Sequence, residues 1–176
     1  KMELKELTAA VGESSKVMIG AGFVLVFTIP LVRILINSGI NDSGFDSMPI
    51  AMANFVAHSV GDIYPLFAPI VGALGAFIAG SNTVSNMMLS QFQFGVADAL
   101  GISTAFMVAL QAVGAAAGNM IAIHNVVAAS ATVGLLDQEG ETLRKTIIPT
   151  IYYCLLAGII GLIGMYYLGL TDPLMK

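Results

Sequence analysis

The polar run Ser-Asn-Thr-Val-Ser-Asn, residues 81–86, is the first group in the chain that could bind an ion or a small acid. It directly follows Gly80 and stands between two apolar stretches. Its hydroxyl and amide groups donate and accept hydrogen bonds, which suits a carboxylate or a cation. The alternative is that these small residues only make close contacts between helices. The candidate substrate-binding residues of this run are Ser81, Asn82, Thr83, Ser85 and Asn86.

A second polar group interrupts a long apolar stretch at Gly118 and Asn119 and continues at His124 and Asn125. Gly118, Asn119 and Asn125 complete the candidate substrate-binding residues. Imidazole exchanges a proton near neutral pH, and ionisable groups inside a membrane are rare and usually functional. His124 is therefore the first candidate for proton coupling, unless a neighbouring amide merely satisfies it. Asp98 is the second candidate, and it either carries a proton or only faces water.

The sequence lacks the residue patterns of enzyme chemistry. It has no nucleophile elbow, no metal-binding spacing of His and carboxylates, and no phosphate-binding glycine loop after a strand. The single cysteine, Cys154, excludes an internal disulfide and a cysteine-based metal cluster, and we interpret it as a core or lipid-facing residue. We therefore expect no enzyme, no metal site and no tightly bound cofactor.

Composition places these groups in a membrane protein. Of the 176 residues, 57% are hydrophobic and only 10% are charged, with a mean hydropathy of +0.87. A soluble domain carries roughly a quarter charged residues, so much of this surface must meet lipid. The net charge is −4, with seven Lys and Arg. A nucleic-acid partner is excluded, because binding phosphates needs a basic surface.

The hydrophobic pattern predicts an all-α membrane protein, with residues 1–176 forming one transmembrane domain. The stretch before residue 80 is too short to cross, and a second short run follows the polar residues. This pattern is typical of a re-entrant hairpin, in which buried protein or a wet cavity satisfies the turn. The predicted elements are a crossing at 17–36, an interfacial helix at 50–64, the hairpin at 65–99, a broken crossing at 102–136 and a last crossing at 147–168.

The prediction of a broken crossing follows from the length of the apolar segment 102–136. Residues 102–136 would measure roughly 50 Å as one helix, which exceeds the bilayer core. A break at Gly118-Asn119 gives half-helices at about 102–117 and 120–136, and we expect it to pack beside the hairpin turn. The amides Gln91, Gln93 and Gln111 either line a polar pathway or hold helices together. In the interfacial segment, Asn54, His58 and Asp62 recur every four residues and predict one polar helix face.

The distribution of basic residues predicts the orientation. The amino end is predicted to be cytoplasmic because it contains Lys1, Lys5 and Lys16. The predicted loop at 137–145 is assigned to the same side because it contains Arg144 and Lys145. The segment 37–49 has neither Lys nor Arg and is then outside. The sides predicted for these three segments are consistent with the number of crossings between them only if the hairpin does not cross the membrane.

Two long motifs resemble the L-lactate permease family. They are 75–88, Gly-Ala-Phe-Ile-Ala-Gly-Ser-Asn-Thr-Val-Ser-Asn-Met-Met, with Gln-Phe-Gln at 91–93, and 115–129, which contains Gly-Asn-Met-Ile-Ala-Ile-His-Asn. The resemblance implies import of lactate, and often glycolate, by proton symport across a bacterial cytoplasmic (inner) membrane. It also implies a multi-pass chain that is the carboxy-terminal part of a larger permease and that works with the remainder of that permease.

The Ser81-Asn82-Thr83 sequence is also similar to the hairpin motifs of divalent anion–sodium symporters, which implies a carboxylate at this turn. Three readings stay open: a proton-coupled carrier, a sodium-coupled carrier of another organic anion, and a non-transporting fragment or accessory subunit. Secondary carriers are commonly built from two inverted repeats, and this chain has the size of one. It would complete the pair with the rest of the permease or with a second copy of itself.

Overall fold

The described part of the chain, residues 4–135, 137–170 and 172 of a computed structural model, is helical and contains no strand. This confirms the predicted all-α class. Short 3-10 segments lie at Asn37–Gly39 and Gly61–Leu66, and a π-helical turn at Ile163–Tyr167 extends the last helix. The α-helices are α1 (Leu4–Ile36), α2 (Met48–Val60), α3 (Ala68–Ala79), α4 (Asn82–Leu100), α5 (Thr104–Gly118), α6 (Ile123–Thr132) and α7 (Glu139–Leu162).

Length and apolar composition show which of the described helices are candidates for crossing a membrane. In the described residues one continuous helix, Glu139–Tyr167, is long and apolar enough to cross a bilayer. The count rises to three if two bent helix pairs are each one span. The pairs are Met48–Leu66 with Ala68–Ala79, bent by 94°, and Thr104–Gly118 with Ile123–Thr132, bent by 46°. The predicted crossing at 17–36 lies within α1, and a shorter apolar helical stretch, Ile29–Gly39, covers the end of α1 and the 3-10 segment that follows it.

Several helix ends differ from the predicted ones. The segment 137–145 is helical from Glu139, because Glu139 and Glu141 favour a helix start and Glu141 pairs with Lys145 at 2.7 Å. The half-helices end at Gly118 and begin again at Ile123, so the break is wider than expected. Helix α2 ends at Val60, two residues before Asp62, which lies in the following 3-10 segment. The polar helix face predicted from Asn54, His58 and Asp62 therefore does not extend to Asp62.

Helices α3 and α5 pack backbone against backbone. A Cβ added to Gly114 would overlap the carbonyl oxygen of Pro69, and one added to Gly118 would overlap that of Ala73. Gly72 faces α5 in the same way, where an added Cβ would lie 2.9 Å from the nitrogen of Ala115. Such small-residue contacts let membrane helices approach closely.

The register of these contacts aligns the ends of the two helices. The contacts advance in the same direction along both chains, from Pro69 and Gly114 to Ala73 and Gly118, so α3 and α5 run parallel. Gly80 lies about two helical turns beyond Ala73. In the same register it is level with the residues about two turns beyond Gly118, at the start of α6. The fold thus brings the hairpin turn level with the break.

Helix α7 packs on the outside of this pair. Gly158 lets it approach the carbonyl oxygen of Leu66, and Gly161 faces the side chain of Leu110. The buried thiol of Cys154 donates to the carbonyl oxygen of Pro69 at 3.7 Å. Cys154 is therefore a core residue.

We predict that Gly114→Ala will destabilise the protein, because the new methyl group meets the backbone of α3. The expected loss is about 1–3 kcal/mol, as for other overpacked cores. Thermal unfolding in detergent can be followed by reaction of the buried Cys154 with a thiol-reactive dye. The matched control is Gly12→Ala in α1, where an added Cβ meets nothing within 4 Å, and it should leave the melting temperature unchanged or raise it. Equal effects of the two substitutions would contradict the close contact.

Candidate functional site

The hairpin turn joins α3 to α4 in two residues. Gly80 adopts the left-handed conformation, with φ of 68°, and its N–H donates to the carbonyl oxygen of Ala76 at 2.7 Å. Ser81 is extended, and its hydroxyl accepts from the N–H of Val84 at 3.4 Å, which caps the start of α4. A left-handed glycine followed by a serine cap is a physical reason for the sharp reversal. The turn therefore presents the carboxyl end of one helix beside the amino end of another.

The break between α5 and α6 is a short turn bridged by one side chain. The N–H groups of Met120 and Ile121 donate to carbonyl oxygens of the last turn of α5, at 3.1 Å each. The amide of Asn125 donates to the backbone oxygen of Asn119 at 3.3 Å and to its side-chain oxygen at 3.4 Å. Asn125 on one half-helix thus holds the turn that ends the other.

His124 joins the break to the hairpin turn. Its imidazole lies directly against Gly80: a Cβ added to that glycine would overlap Cε1 of the ring and lie 2.5 Å from Nδ1 and 2.9 Å from Nε2. His124 as a whole residue is exposed. The turn and the break, which are more than 35 residues apart in the sequence, are therefore neighbours in the structure.

The amides at the start of α4 face each other. Asn86 donates to the side-chain oxygen of Asn82 at 2.9 Å, and both residues are half-buried. Thr83 is exposed. The side-chain oxygen of Asn86 is buried without a hydrogen-bond partner among the described residues. These residues form a polar patch beside the hairpin turn that His124 contacts.

Ser85 lies inside the bundle rather than at the turn. It is fully buried, donates to the carbonyl oxygen of Gly72 at 2.9 Å, and accepts from the amide of Gln111 at 3.2 Å. Gln111 in turn accepts from Gln93 at 3.0 Å. Gln93 also donates to the carbonyl oxygen of Ala68 at 3.3 Å, so these side chains connect α3, α4 and α5.

Tyr64 is the far end of this buried hydrogen-bond chain, and the sequence analysis did not identify it. Its hydroxyl donates to the side-chain oxygen of Gln93 at 2.8 Å. All four side chains, Tyr64, Gln93, Gln111 and Ser85, are buried. Of the two roles considered for the glutamines, the structure shows Gln93 and Gln111 holding helices together. An apolar stretch before Pro65 contains no pattern that would have singled out the tyrosine.

Asp98 is not close to the hairpin turn. It is exposed near the carboxyl end of α4, roughly 24 Å from Asn82 along the helix at the usual rise. There it lines a cavity of about 870 Å³ with residues of the α4–α5 turn and of the end of α7. The two candidates for proton coupling, His124 and Asp98, therefore lie at opposite ends of the bundle.

The start of α5 is held by a residue that the sequence analysis did not consider. Buried Asp172 accepts from the hydroxyl of Thr104 and from the N–H of Ala105, the latter at 3.1 Å. A carboxylate at the amino end of a helix is favourable. This contact fixes the end of α5 that is far from the break.

No group of three or more His, Cys, Asp or Glu side chains in the described residues could hold a metal ion. What the fold does provide is a polar hairpin turn beside a broken helix, within an apolar helical bundle. Broken helices with polar turns are typical of membrane transport proteins, and this is the class that the fold and the site define.

The chain belongs to the L-lactate permease family, whose model matches residues 1–168. It is 40% identical over 126 residues to a putative L-lactate permease of Haemophilus influenzae, and 31% identical over 131 residues to an L-lactate permease of Salmonella typhi. It is 30% identical over 124 residues to the glycolate permease GlcA of Escherichia coli. The family consists of permeases, not enzymes.

These alignments cover most of this chain but little of each relative. They include 70% and 74% of the chain for the first two relatives and 24% of each of those proteins, and 70% of the chain and 22% of the glycolate permease. The matched part of the chain thus spans about a quarter of the length of these curated relatives. No solved structure matches it significantly.

We predict that cysteines replacing Ser81 and His124 will be joined by a short thiol cross-linker, because residue 81 adjoins the glycine that the imidazole contacts. The pair should be made with Cys154→Ala and analysed by gel mobility after cleavage between the two sites. Cysteines at positions 98 and 124 are the control and should not be joined, since Asp98 lies at the other end of α4. Equal yields for the two pairs would contradict the placement of the turn.

We predict that Gln111→Leu will lower the melting temperature, because it removes the acceptor of Gln93 and the donor to Ser85. The expected cost is about 1–2 kcal/mol, typical of buried hydrogen bonds in proteins and membranes. Gln91→Leu, on the same helix as Gln93 but partly exposed, should change stability by less than about 0.5 kcal/mol. The same dye assay on Cys154 compares the two, and a loss no larger for position 111 would contradict a stabilising network.

Proposed function

We propose that this chain is part of a permease that imports lactate, or a similar small 2-hydroxy monocarboxylate such as glycolate, together with protons. The observation that carries the proposal is the contact of His124 with the hairpin turn at Gly80, beside the polar start of α4. Relatives named L-lactate permease and glycolate permease support the choice of substrate. The membrane is the bacterial cytoplasmic membrane, which the chain crosses several times.

The carboxylate of the substrate binds at the start of α4 in this proposal. The first N–H groups of a helix lack partners within it and carry partial positive charge, which favours an anion. Asn82 and exposed Thr83 stand at this end and can bind the carboxylate or the 2-hydroxyl group. The buried, unpaired oxygen of Asn86 can accept from the same hydroxyl after a small rotation.

The break supplies the opposite wall of the site. Asn119 and Asn125 lie on the turn that follows Gly118, next to His124. Ser85 and Gly118 contribute by holding the helices in place, since both are buried against α3. These candidate substrate-binding residues therefore fall into a group that faces the turn and a group that positions it.

His124 carries the coupled proton in this proposal. A protonated imidazole beside the turn would offset the negative charge of a carboxylate held at α4, and this attraction is large where water is excluded. Asp98 lies at the far end of α4 and is a second proton site on the other side of the bundle. Proton binding next to the substrate would make loading of each favour loading of the other.

The arrangement in the membrane is also part of the proposal. Residues 65–99 enter and leave the membrane on one side, and residues 102–136 cross it as two half-helices. The chain supplies one of two inverted repeats, and the rest of the permease or a second copy supplies the other. A sodium-coupled carrier is the second candidate, because carbonyl and amide oxygens at a break such as Asn119 also suit Na⁺.

Uptake of labelled lactate tests the proposal in cells that express the complete open reading frame encoding this chain. A proton ionophore should abolish uptake, while replacement of sodium by choline should leave it unchanged. Asn82→Ala should reduce uptake by roughly tenfold or more at equal membrane expression, as expected when a group that orients the substrate is lost. The matched control, Asn54→Ala on the exposed side of α2, should retain full uptake.

Each contrary result has a distinct meaning. Uptake that requires sodium and is unaffected by the ionophore would show that the carrier is coupled to sodium rather than to protons. Full uptake by the Asn82→Ala variant would move the carboxylate away from the start of α4. No lactate or glycolate uptake at normal expression would refute the substrate assignment.

A further inference from the structure

We infer that Gly80 is a positioning residue whose missing side chain forms a socket for the imidazole of His124. The ring docks in this socket and couples α6 to the hairpin, more strongly when the imidazole is protonated. The inference rests on the proposed function only in treating His124 as the proton carrier. The docking itself is a steric and electrostatic property of the turn.

The steric argument comes from comparison with the other left-handed glycines. Gly44, Gly61, Gly101, Gly134 and Gly169 all have positive φ, and an added Cβ at each of them meets nothing within 4 Å. Backbone conformation alone is a sufficient reason for glycine there. Gly80 differs, since an added Cβ would overlap one atom of the His124 ring and lie within 3 Å of two more.

The electrostatic argument comes from the position of the socket at the end of α3. The last carbonyl groups of a helix lack partners within it and carry partial negative charge. The ring lies against Gly80, the residue that ends α3, so these carbonyl groups favour an imidazolium ion over neutral imidazole, and the first N–H groups of α4 act in the opposite sense. Protonation of His124 therefore strengthens its docking on the turn.

Few charged groups compete for this proton. Helices α3 and α5 contain no titratable side chain, and α4 contains only Asp98 at its far end. Helix α6 contains only His124. Helix α7 packs along α6, and its titratable residues lie between positions 139 and 154: Glu139, Glu141, Arg144, Lys145, Tyr152, Tyr153 and Cys154. Of these, Glu141 and Lys145 pair with each other.

The consequence is a proton-dependent connection between the two halves of the site. With the proton bound, the hairpin and α6 are held together and the walls of the site keep their spacing. After the proton leaves, the hold weakens and α6 can separate from the turn. Gly80 is thus needed for the response of transport to pH, beyond its role in the chain reversal.

The first experiment compares Gly80→Ala with Gly101→Ala in the complete open reading frame. Gly101 ends α4 with φ of 67° and open space around it, so its variant has the same backbone strain without a displaced histidine. Gly80→Ala should lower lactate uptake by roughly tenfold, as expected for a misplaced functional group, and should flatten its dependence on pH. Gly101→Ala should keep the pH profile of the parent. Similar profiles for the two variants would overturn the inference.

A second substitution tests the steric link. If the methyl group at position 80 acts by displacing the imidazole, then His124→Ala removes its target. In detergent, Gly80→Ala should lower the melting temperature more than Gly101→Ala does, and this excess should disappear when the two substitutions are compared in the His124→Ala background. An excess that persists without the histidine would overturn the socket.

A measurement without transport separates this inference from the proposed function. Cysteines at Ser81 and Asn125, with His124 intact and Cys154→Ala, are cross-linked at about pH 5.5 and about pH 8, on either side of the ordinary imidazole range. Yields are normalised to the labelling of each single cysteine at the same pH. We expect a severalfold higher yield at the lower pH, and loss of that difference with Gly80→Ala but not with Gly101→Ala.

The two ideas can then fail independently. A cross-linking yield that changes neither with pH nor with Gly80→Ala would overturn the socket even if lactate uptake were intact. Cross-linking as expected, in a protein that takes up no lactate or glycolate, would leave the socket standing and refute the proposed substrate.

Discussion

The backbone contact between α3 and α5 is the constraint on which the rest of the structure depends. Three glycines, Gly72, Gly114 and Gly118, let the helices touch without intervening side chains. Contacts at this distance fix the register of two parallel helices, because a shift of one residue would push a side chain into the opposite backbone. The register then decides which loop of one helix meets which loop of the other. Gly80 meets His124 because Pro69 meets Gly114.

The close approach also explains why amides can be buried here at little cost. Unpaired polar groups are expensive in an apolar surrounding, but Gln93 and Gln111 come from neighbouring helices and bond to each other and to Ser85. Hydrogen bonds of this kind contribute about 0.6 kcal/mol each on average in membrane proteins. Their larger effect is on specificity, since a rotated helix would leave several polar atoms unpaired at once. Hydrogen bonds and close backbone contacts therefore join the hairpin to α5, and α6 follows α5 through a turn.

The sequence predicted the local breaks well and the long-range partners poorly. Gly80 with Ser81, and Gly118 with Asn119, interrupt apolar runs with residues that favour turns, so the hairpin turn and the broken helix were visible as patterns. The start of α7 was misplaced because charged residues that suggest a loop also form i,i+4 pairs on a helix. The contacts of Tyr64 with Gln93 and of Asp172 with Thr104 span 29 and 68 residues. No periodicity records such a pairing, because it depends on how whole helices pack.

The two-residue turn at Gly80 and Ser81 has an electrical consequence. The negative end of α3 and the positive start of α4 meet there, so their fields nearly cancel a few ångströms away and act strongly only on groups at the turn itself. The proton and the carboxylate that we propose to bind there would form a neutral pair that matches this local dipole. Moving a single charge through a membrane potential involves about 2.3 kcal/mol per 100 mV, whereas moving a neutral pair involves almost none. In the proposed permease, exchange of such a neutral pair between the two sides of the membrane would not depend on the voltage across it.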